Sequence, residues 1–242
     1  MALFSYKTGV WPISLEIAGA RLSLNQDGSV QLQVGATEIG QGADTVFSQM
    51  AAETLHMDIS RVHIVTQQDT DVTPFDTGAY ASRQSFVTGT AVKECAQQLK
   101  QKILEYARTL VPGNVDRLEL EDGYILADGK PAISLEDLAM ESYYSLSNSS
   151  VLTAEVSRQV KKNTVASGCC FAEVEVDMKL GKIKVLDIVN VHDSGTLLNP
   201  QLAAMQVHGG MFMGIGYGVS EQLLIDEKTG RPLNGTLLDY KM

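Results

Sequence analysis

The sequence is poor in cysteine and has no excess of positive charge, and these two shortages exclude several classes of protein. Only three cysteines occur among 242 residues, and two of them, Cys169 and Cys170, are adjacent. A disulfide framework and a four-thiolate iron–sulfur site are therefore not expected, and a reducing cytoplasm is the expected location. Lysine and arginine total 19 against 29 aspartates and glutamates, for a formal net charge of -10. Such an acidic chain repels phosphate backbones, so nucleic-acid binding is not expected.

Long apolar runs and several catalytic motifs are also missing. No run approaches the roughly 20 apolar residues that a membrane-spanning helix needs, and the first residues lack the pattern of a secretory signal. We therefore expect no membrane association. The four histidines are scattered without an H-x-x-x-H pair, and no G-x-S-x-G or P-loop motif occurs. These absences argue against a zinc site, an α/β-hydrolase and a P-loop nucleotide site.

Hydrophobic periodicity predicts strands and helices that follow one another without regular alternation. Hairpins are predicted within residues 14–35, 118–127 and 170–191, where apolar alternation flanks a turn that contains glycine. Helices are predicted around residues 46–55, from about Gly89 to Leu110 and after Asn199, where Pro200 suits the first helical turn. We therefore expect an α+β fold.

Polarity along the chain predicts two parts joined by a linker. We expect residues 1–144 to form a first lobe, residues 145–163 to form the linker and residues 164–242 to form a second part. Residues 145–163 are polar and weakly patterned, which is typical of a connecting segment. The second part contains the strongest predicted strand pair and a glycine-rich helix.

The first candidate binding motif is the pair of glycines around one glutamine at Gly40, Gln41 and Gly42, which follows Ile39. The motif lies directly before a predicted helix, where free backbone N–H groups can bind an anion or the polar edge of a ligand. The amide of Gln41 adds both a donor and an acceptor. The alternative interpretation is an ordinary strand-to-helix turn with Gln41 in water.

The second candidate is the small-residue segment GAYASRQ, which also precedes a helix. Small residues let a ligand approach the backbone closely. Within it, Ser82 offers a hydroxyl group, and Arg83 offers a planar cation suited to phosphate. The alternative interpretation is a surface loop before a helix.

The third candidate is the glycine-rich helix that follows Asn199. Glycine inside a helix costs about 1 kcal/mol relative to alanine, so its five glycines indicate close backbone packing. The run does not match the dinucleotide motif G-x-G-x-x-G, because Val219 stands at the third glycine position. Gln206 and His208 lie near its start. One interpretation is that either of them faces a ligand, and the alternative interpretation is that they are ordinary surface residues of the helix.

Three motifs in one order carry a resemblance to a known family. They are GATEIGQGADTVFSQMAAE, TDVTPFDTGAYASRQSFVTGTAV and VHDSGTLLNPQLAAMQVHGGMFMGIGYG. Together they resemble the molybdenum-binding subunit of the xanthine dehydrogenase family of molybdenum hydroxylases, and the resemblance extends over essentially the whole chain. In that family a pterin dithiolene holds the molybdenum, and the protein surrounds the metal without ligating it. The resemblance implies the family's mixed α+β molybdopterin-binding fold, with the first lobe as part of the cofactor cradle.

The resemblance also assigns roles to individual residues. It places Gln41 beside the oxo group of the metal, Ala81 next to the metal and the segment from Ser82 to Gln84 at the pterin and its phosphate. Gln206 matches a glutamine that hydrogen-bonds the pterin. The residues that the resemblance assigns to the cofactor site are Ile39, Gly40, Gln41, Gly42, Ala81, Ser82, Arg83, Gln84 and Gln206.

The family reaction is the hydroxylation of an electron-poor carbon, in purines, related N-heterocycles or aldehydes, with water as the oxygen source. A glutamate in a G-E-P-P-like motif acts as its general base, and no glutamate of this sequence stands in such a motif. We therefore assign no catalytic residue and expect the isolated chain to be inactive and free of cofactor. The resemblance implies partners that carry FAD and 2Fe–2S clusters, a homo-oligomer and a pterin that commonly carries an added cytosine nucleotide.

Two other functions remain open at this stage. The chain could be a non-catalytic structural or interaction module of a molybdoenzyme complex, which keeps the fold and binds no cofactor. It could also be a free-standing nucleotide-binding protein that uses Gly40, Gln41 and Gly42 together with Ser82 and Arg83. No sequence motif supports the second alternative.

Overall fold

The computed structural model describes residues 1–113 and 115–242. They divide into two compact units: Lys7–Thr164 is one, and Met1–Tyr6 together with Val165–Met242 is the other. The strands are β1 Ala2–Thr8, β2 Ile17–Leu24, β3 Val30–Val34, β4 Val62–Ile64, β5 Leu118–Glu121, β6 Tyr124–Ala127, β7 Lys130–Ser134, β8 Thr153–Gln159, β9 Thr164–Asp177 and β10 Lys182–Asp193. The helices are α1 Ala43–Leu55, α2 Gln84–Leu110, α3 Leu135–Tyr144 and α4 Pro200–Val219, with a short 3-10 helix at Ile59–Arg61. The mixture confirms the α+β expectation.

A four-stranded sheet in the order β4-β3-β2-β8 forms the centre of the Lys7–Thr164 unit. The inward positions of β2 and β3 are small or branched apolar residues without solvent contact, because every second side chain of a strand faces the same side. They pack with the apolar faces of α1 and α2 into one core. Burial of these residues at about 25 cal/mol per Å² of apolar surface supplies most of the driving force for this unit.

Helix α2 begins five residues before the position that the sequence pattern indicates. It starts at Gln84, whereas the expected start was about Gly89. Gly89 lies inside the helix. A Cβ atom there would come within 2.6 Å of the Met50 side chain on α1, so the position requires a glycine. The glycine thus permits the close approach of two helices.

The expected linker, residues 145–163, contains a strand. Strand β8 pairs antiparallel with β2, with Ala154 opposite Leu22 and Val156 opposite Ala20. Only Ala154 and Val156 of this strand are buried, and the alternate positions are polar and exposed. Thr153–Gln159 is therefore an edge strand of the central sheet, and the linker interpretation is wrong for this part of residues 145–163.

The second unit contains helix α4 and a three-stranded sheet in the order β1-β9-β10, in which β9 and β10 pair antiparallel. Helix α4 is rich in apolar residues, and its Phe212, Met213 and Tyr217 expose 60–75% of their surface. An added Cβ atom at Gly209 or Gly214 would meet nothing within 4 Å. The close packing that these glycines indicate is therefore not made among the described residues. None of the described helices is both long and apolar enough to cross a membrane.

Gly35 tests the close packing between the central sheet and the loop that precedes α2. A Cβ atom at Gly35 would overlap the Pro74 carbonyl oxygen and lie 2.7 Å from the Asp76 Cβ atom. We expect Gly35→Ala to lower the free energy of unfolding by about 1–3 kcal/mol, because overpacking forces the backbone to shift. Urea unfolding followed by the fluorescence of the single tryptophan, Trp11, measures the change. Gly209→Ala, which fills open space, is the control and should cause no loss of stability.

Cys95 tests the core of the same unit. Its side chain is fully buried on α2, and its Sγ atom lies 3.2 Å from the Ala154 carbonyl oxygen. Burial raises the pKa of the Cys95 thiol to about 11, so it carries almost no thiolate at pH 8. We expect a thiol reagent to modify the partly exposed Cys169 and Cys170 in the native chain and to modify Cys95 only after urea unfolding. Rapid modification of all three thiols in the native chain would contradict this packing.

Candidate functional site: two loops before helices α1 and α2

The glycine–glutamine motif and the small-residue segment meet in the Lys7–Thr164 unit. The Gln41 Nε2 atom donates to the Gln84 Oε1 atom at 2.5 Å and to the Thr37 carbonyl oxygen at 3.2 Å. The Gln84 Nε2 atom donates to the same Thr37 carbonyl at 3.2 Å, and the Gln41 Oε1 atom accepts the Ile39 N–H. The two glutamines therefore tie the loops together, although 43 residues separate them. Both N–H bonds of the Gln41 amide are used within the chain.

The N-terminus of α1 is closed by a carboxylate of the chain itself. The Glu38 side chain accepts hydrogen bonds from the backbone N–H groups of Gly40, Gly42 and Asp44 at 2.7–3.1 Å. Of the two interpretations of this motif, the one in which free N–H groups bind an anion does not hold for Gly40, Gly42 and Asp44, because Glu38 already supplies the negative charge that a helix N-terminus attracts.

Two carboxyl groups at this helix end have shifted pKa values. Burial alone would raise the pKa of Glu38, but the backbone hydrogen bonds from Asp44, Gly42 and Gly40 outweigh it and hold the pKa below its usual value. For Asp44, burial and the nearby charge of Glu38 both raise the pKa. Glu38 is thus the carboxylate whose charged form is stabilised by the N–H groups of the loop.

The small-residue segment forms a left-handed turn at its centre. Ala81 and Ser82 have φ values of 48° and 51°, which residues with a Cβ atom adopt rarely. Ser82 is exposed. Helix α2 follows without any side-chain cap at its N-terminus, and the first N–H groups of a helix have no partner within the helix. The turn therefore presents an exposed hydroxyl beside a helix start that has no side-chain cap, an arrangement that suits an approaching anion.

Arg83 faces the interior, which corrects its expected role as a phosphate ligand. Its side chain has no solvent exposure and binds the Glu16 and Asp76 carboxylates, each at 2.5 Å. Its remaining donors bind the carbonyl oxygens of Gly78 and Ile17 at 2.9 Å and 2.7 Å. Burial would lower the pKa of Arg83, but the hydrogen bond to Glu16 and the charge of Asp76 raise it. The guanidinium is a permanent internal cation that no ligand reaches.

The remaining expected site residues differ in their surroundings. Ile39 and Gly40 are exposed, and a Cβ atom at Gly40 would meet nothing within 4 Å. Gln206 lies on α4 in the second unit and is exposed there. Its expected convergence with Gln41 and Ser82 stays a prediction.

Sequence reasoning missed Glu38, Glu16 and Asp76. Glu38 could have been found from its place just before a glycine-flanked helix start, which is typical of a capping side chain. Asp76 binds the Gly78 N–H at 2.8 Å, a local turn that the order Asp-Thr-Gly indicates. Nothing local indicates Glu16, because its partner Arg83 lies 67 residues further along the chain.

The residues present fit a large anionic cofactor with polar edges. The exposed Ser82 hydroxyl and the uncapped start of α2 suit a phosphate, and the open space beside Gly40 admits a flat ring system close to the backbone. Among the described residues, no group of three or more His, Cys, Asp or Glu side chains is arranged to hold a metal ion. The donors are hydroxyl, amide and backbone groups, which bind an organic cofactor.

Comparison with known proteins gives the class to which this fold and site belong. The family model of the molybdopterin cofactor-binding domain matches residues 1–242, so the chain belongs to that family. The family resemblance seen in the sequence is thereby confirmed.

Individual relatives agree with this assignment. The chain is 50% identical over 245 residues to the xanthine dehydrogenase molybdenum-binding subunit of Escherichia coli O157:H7, and the match covers 100% of this chain and 33% of the relative. It is 27% identical over 229 residues to the nicotine 6-hydroxylase large subunit of Paenarthrobacter nicotinovorans, covering 92% of this chain and 28% of the relative. The crystal structure of quinoline 2-oxidoreductase from Pseudomonas putida 86 superposes with a TM-score of 0.83 at 25% identity, covering 98% and 32% of the two chains. The chain thus spans about a third of the length of these relatives.

The Glu38 carboxylate offers a test of how the first loop is held. We expect Glu38→Gln to lower the free energy of unfolding at pH 7 by about 1–2 kcal/mol, as for the loss of a helix cap. Because the folded-state pKa of Glu38 is lowered, its contribution is present at neutral pH and is lost as the pH falls through that value. The difference between the two proteins should therefore shrink below about pH 4.5, the usual value for glutamate.

Urea unfolding between pH 7 and pH 3 measures this difference. Glu53→Gln makes the same change of charge at an exposed position of α1 and is the matched control. An equal effect of both substitutions would show that Glu38 acts through overall charge and not as a cap.

Proposed function

We propose that this chain forms part of the cofactor cradle of a xanthine dehydrogenase-type molybdenum hydroxylase. The observation that carries the proposal is the match of the molybdopterin cofactor-binding family model to residues 1–242. The joining of the two loops by Gln41 and Gln84 supports it, because a single site then receives both motifs. The whole enzyme hydroxylates purines or related N-heterocycles with water as the oxygen source.

The residues of this chain bind and orient, while the cofactor supplies the redox chemistry. When bound, the molybdenum–pterin group would accept the electron pair that the substrate carbon loses. Ser82 and the N–H groups at the start of α2 would hold the pterin phosphate, and Ile39, Gly40 and Gly42 would line the ring system. The backbone at Ala81 would lie next to the metal, and Gln206, on α4, would bind the pterin. Gln41 and Gln84 fix the spacing of the two loops. Gln41 would lie beside the oxygen ligand of the metal, and Gln84 would lie at the pterin and its phosphate.

The names of the relatives support this substrate class. A xanthine dehydrogenase subunit is 50% identical to the chain, and a nicotine hydroxylase and a quinoline oxidoreductase are more distant relatives. Xanthine, nicotine and quinoline share an electron-poor nitrogen heterocycle.

The proposal extends to the rest of the enzyme. Partners that carry FAD and 2Fe–2S clusters accept the electrons, and the pterin carries an added cytosine nucleotide. The assembly is a cytoplasmic homo-oligomer.

The second candidate function is a structural module of a molybdoenzyme complex that binds no cofactor. The closure of the α1 N-terminus by Glu38 and the internal role of Arg83 favour this alternative to a limited extent, since both remove donors that a cofactor would use. Metal and pterin analysis of the full-length gene product that carries this sequence separates the two functions. We expect about one molybdenum and one pterin per chain, and neither if the module is structural.

Activity measurements test the catalytic part of the proposal. We expect the 242-residue chain alone to show no xanthine-oxidising activity when it is supplied with cofactor and an artificial electron acceptor. The chain has no assigned carboxylate base, and such a base contributes about 100- to 10,000-fold to the rate. Clear turnover by the isolated chain would contradict the assignment and require a base among its own carboxylates.

Substitution of Gln41 tests the role of the joined loops in the full-length gene product. We expect Gln41→Ala to keep the fold and to lower kcat about tenfold, because three hydrogen bonds that fix the loops are lost. Gln97→Ala, at an exposed position of α2, is the matched control. Unchanged kcat in Gln41→Ala would remove this glutamine from the site.

A further inference from the structure

The left-handed turn at Ala81 and Ser82 has an unfavourable backbone conformation that other contacts must stabilise. Both residues carry a Cβ atom, and both have φ near 50°. A single residue of this kind is uncommon, and two in succession persist only where the surrounding structure fixes them. The residues on either side of the turn identify the contacts that do so.

Arg83, the residue directly after the turn, is fixed by four hydrogen bonds. Its guanidinium binds the carboxylates of Glu16 and Asp76 and the carbonyl oxygens of Ile17 and Gly78. The side chains of Arg83, Glu16 and Asp76 have no solvent exposure. A fork of donors bound at every arm leaves Arg83 only one orientation, so the chain must leave the turn in a fixed direction.

The residues before the turn are fixed by the same cluster. Asp76 accepts the Gly78 N–H at 2.8 Å with the oxygen that binds Arg83, and its other oxygen accepts the Thr88 hydroxyl at 2.8 Å. Asp76 thus connects the start of the segment to α2. The path between Gly78 and Arg83 is fixed at both ends by one carboxylate.

Glu16 adds a third support from another part of the chain. One of its oxygens binds Arg83, and the other accepts the Val10 N–H at 2.5 Å. The neighbouring Gly9 N–H donates to the Ala81 carbonyl oxygen at 2.8 Å. Glu16 therefore holds both the residue after the turn and the loop whose backbone binds the turn itself.

We propose that Glu16 and Asp76, acting through Arg83, are positioning residues that hold the Ala81 and Ser82 turn in its cofactor-binding conformation before the cofactor binds. The identity of the ligand rests on the proposed function, whereas the order of the turn in the free chain does not. None of the three side chains reaches the ligand, since all are buried. Their effect is preorganisation, which removes the cost of ordering the turn when the cofactor arrives.

Amide hydrogen exchange in the cofactor-free 242-residue chain tests the first half of the proposal. Glutamine at position 16 offers one acceptor oxygen where glutamate offers two, so Glu16→Gln loses one of the bonds to Val10 and Arg83. We expect the Gly9 and Arg83 amides, which bind the Ala81 and Tyr80 carbonyls, to exchange at least tenfold faster. The Leu22 amide in the core strand should be unchanged. Equal acceleration at all three amides would mean general destabilisation and would overturn the proposal.

A control and a rescue make the exchange experiment specific. Glu155→Gln removes a carboxylate that pairs with Arg21 at an exposed position of the same unit, and we expect it to leave the turn amides unchanged. Ala81→Gly, added to Glu16→Gln, should restore most of the protection because glycine adopts positive φ without strain. Failure of this rescue would show that Glu16 does not act on the conformation of the turn.

Molybdenum content tests the second half in the full-length gene product. We expect Glu16→Gln and Asp76→Asn to release molybdenum at least tenfold faster than the parent during dialysis, and Ala81→Gly to slow the loss again. Equal retention by parent and variants would overturn the positioning role while the proposed function stands. Absence of molybdenum from the parent would instead refute the proposed function, and the exchange result would still decide whether the cluster orders the turn.

Discussion

A guanidinium group without solvent contact is the constraint on which the Lys7–Thr164 unit depends. Burying a charge is costly unless contacts within the protein replace its lost hydrogen bonds to water. For Arg83, two carboxylates and two carbonyl oxygens provide these contacts. Removing one partner would leave an uncompensated internal charge. The same contacts join the start of β2, the loop before α2 and α2 itself. The interaction therefore holds the loop before α2 in place.

The sequence predicts the elements whose pattern is local. The β2–β3 and β5–β6 hairpins were predicted because apolar alternation surrounds an Asp-Gly turn, and Gly28 and Gly123 have the positive φ that such turns need. Strand β8 was missed because only Ala154 and Val156 of it are apolar and buried. The sequence of an edge strand with so few apolar residues resembles that of a loop. Only the pairing with β2 identifies it as a strand.

The location of the site stays a prediction, whereas the contacts of its side chains differ from those that the sequence suggests. Glycine and small residues before two helices indicate where a ligand can approach, and that signal lies within a few residues. The direction of a side chain is decided by distant partners, so Arg83 was expected at a phosphate and instead binds Glu16. Likewise, the helix end expected to be free at Gly42 is occupied by Glu38, whose carboxylate accepts the Gly42 N–H at 3.0 Å.

The division of the chain into one continuous unit and one discontinuous unit has a consequence for its synthesis. Lys7–Thr164 can fold as soon as it leaves the ribosome, since all its strands lie in one stretch. Strand β1 has no such option, because its partner β9 begins at Thr164. At translation rates of about 5–20 residues per second, β1 waits roughly 10–30 seconds for this partner. During that interval, Ala2–Thr8 presents an unpaired strand edge to the solvent.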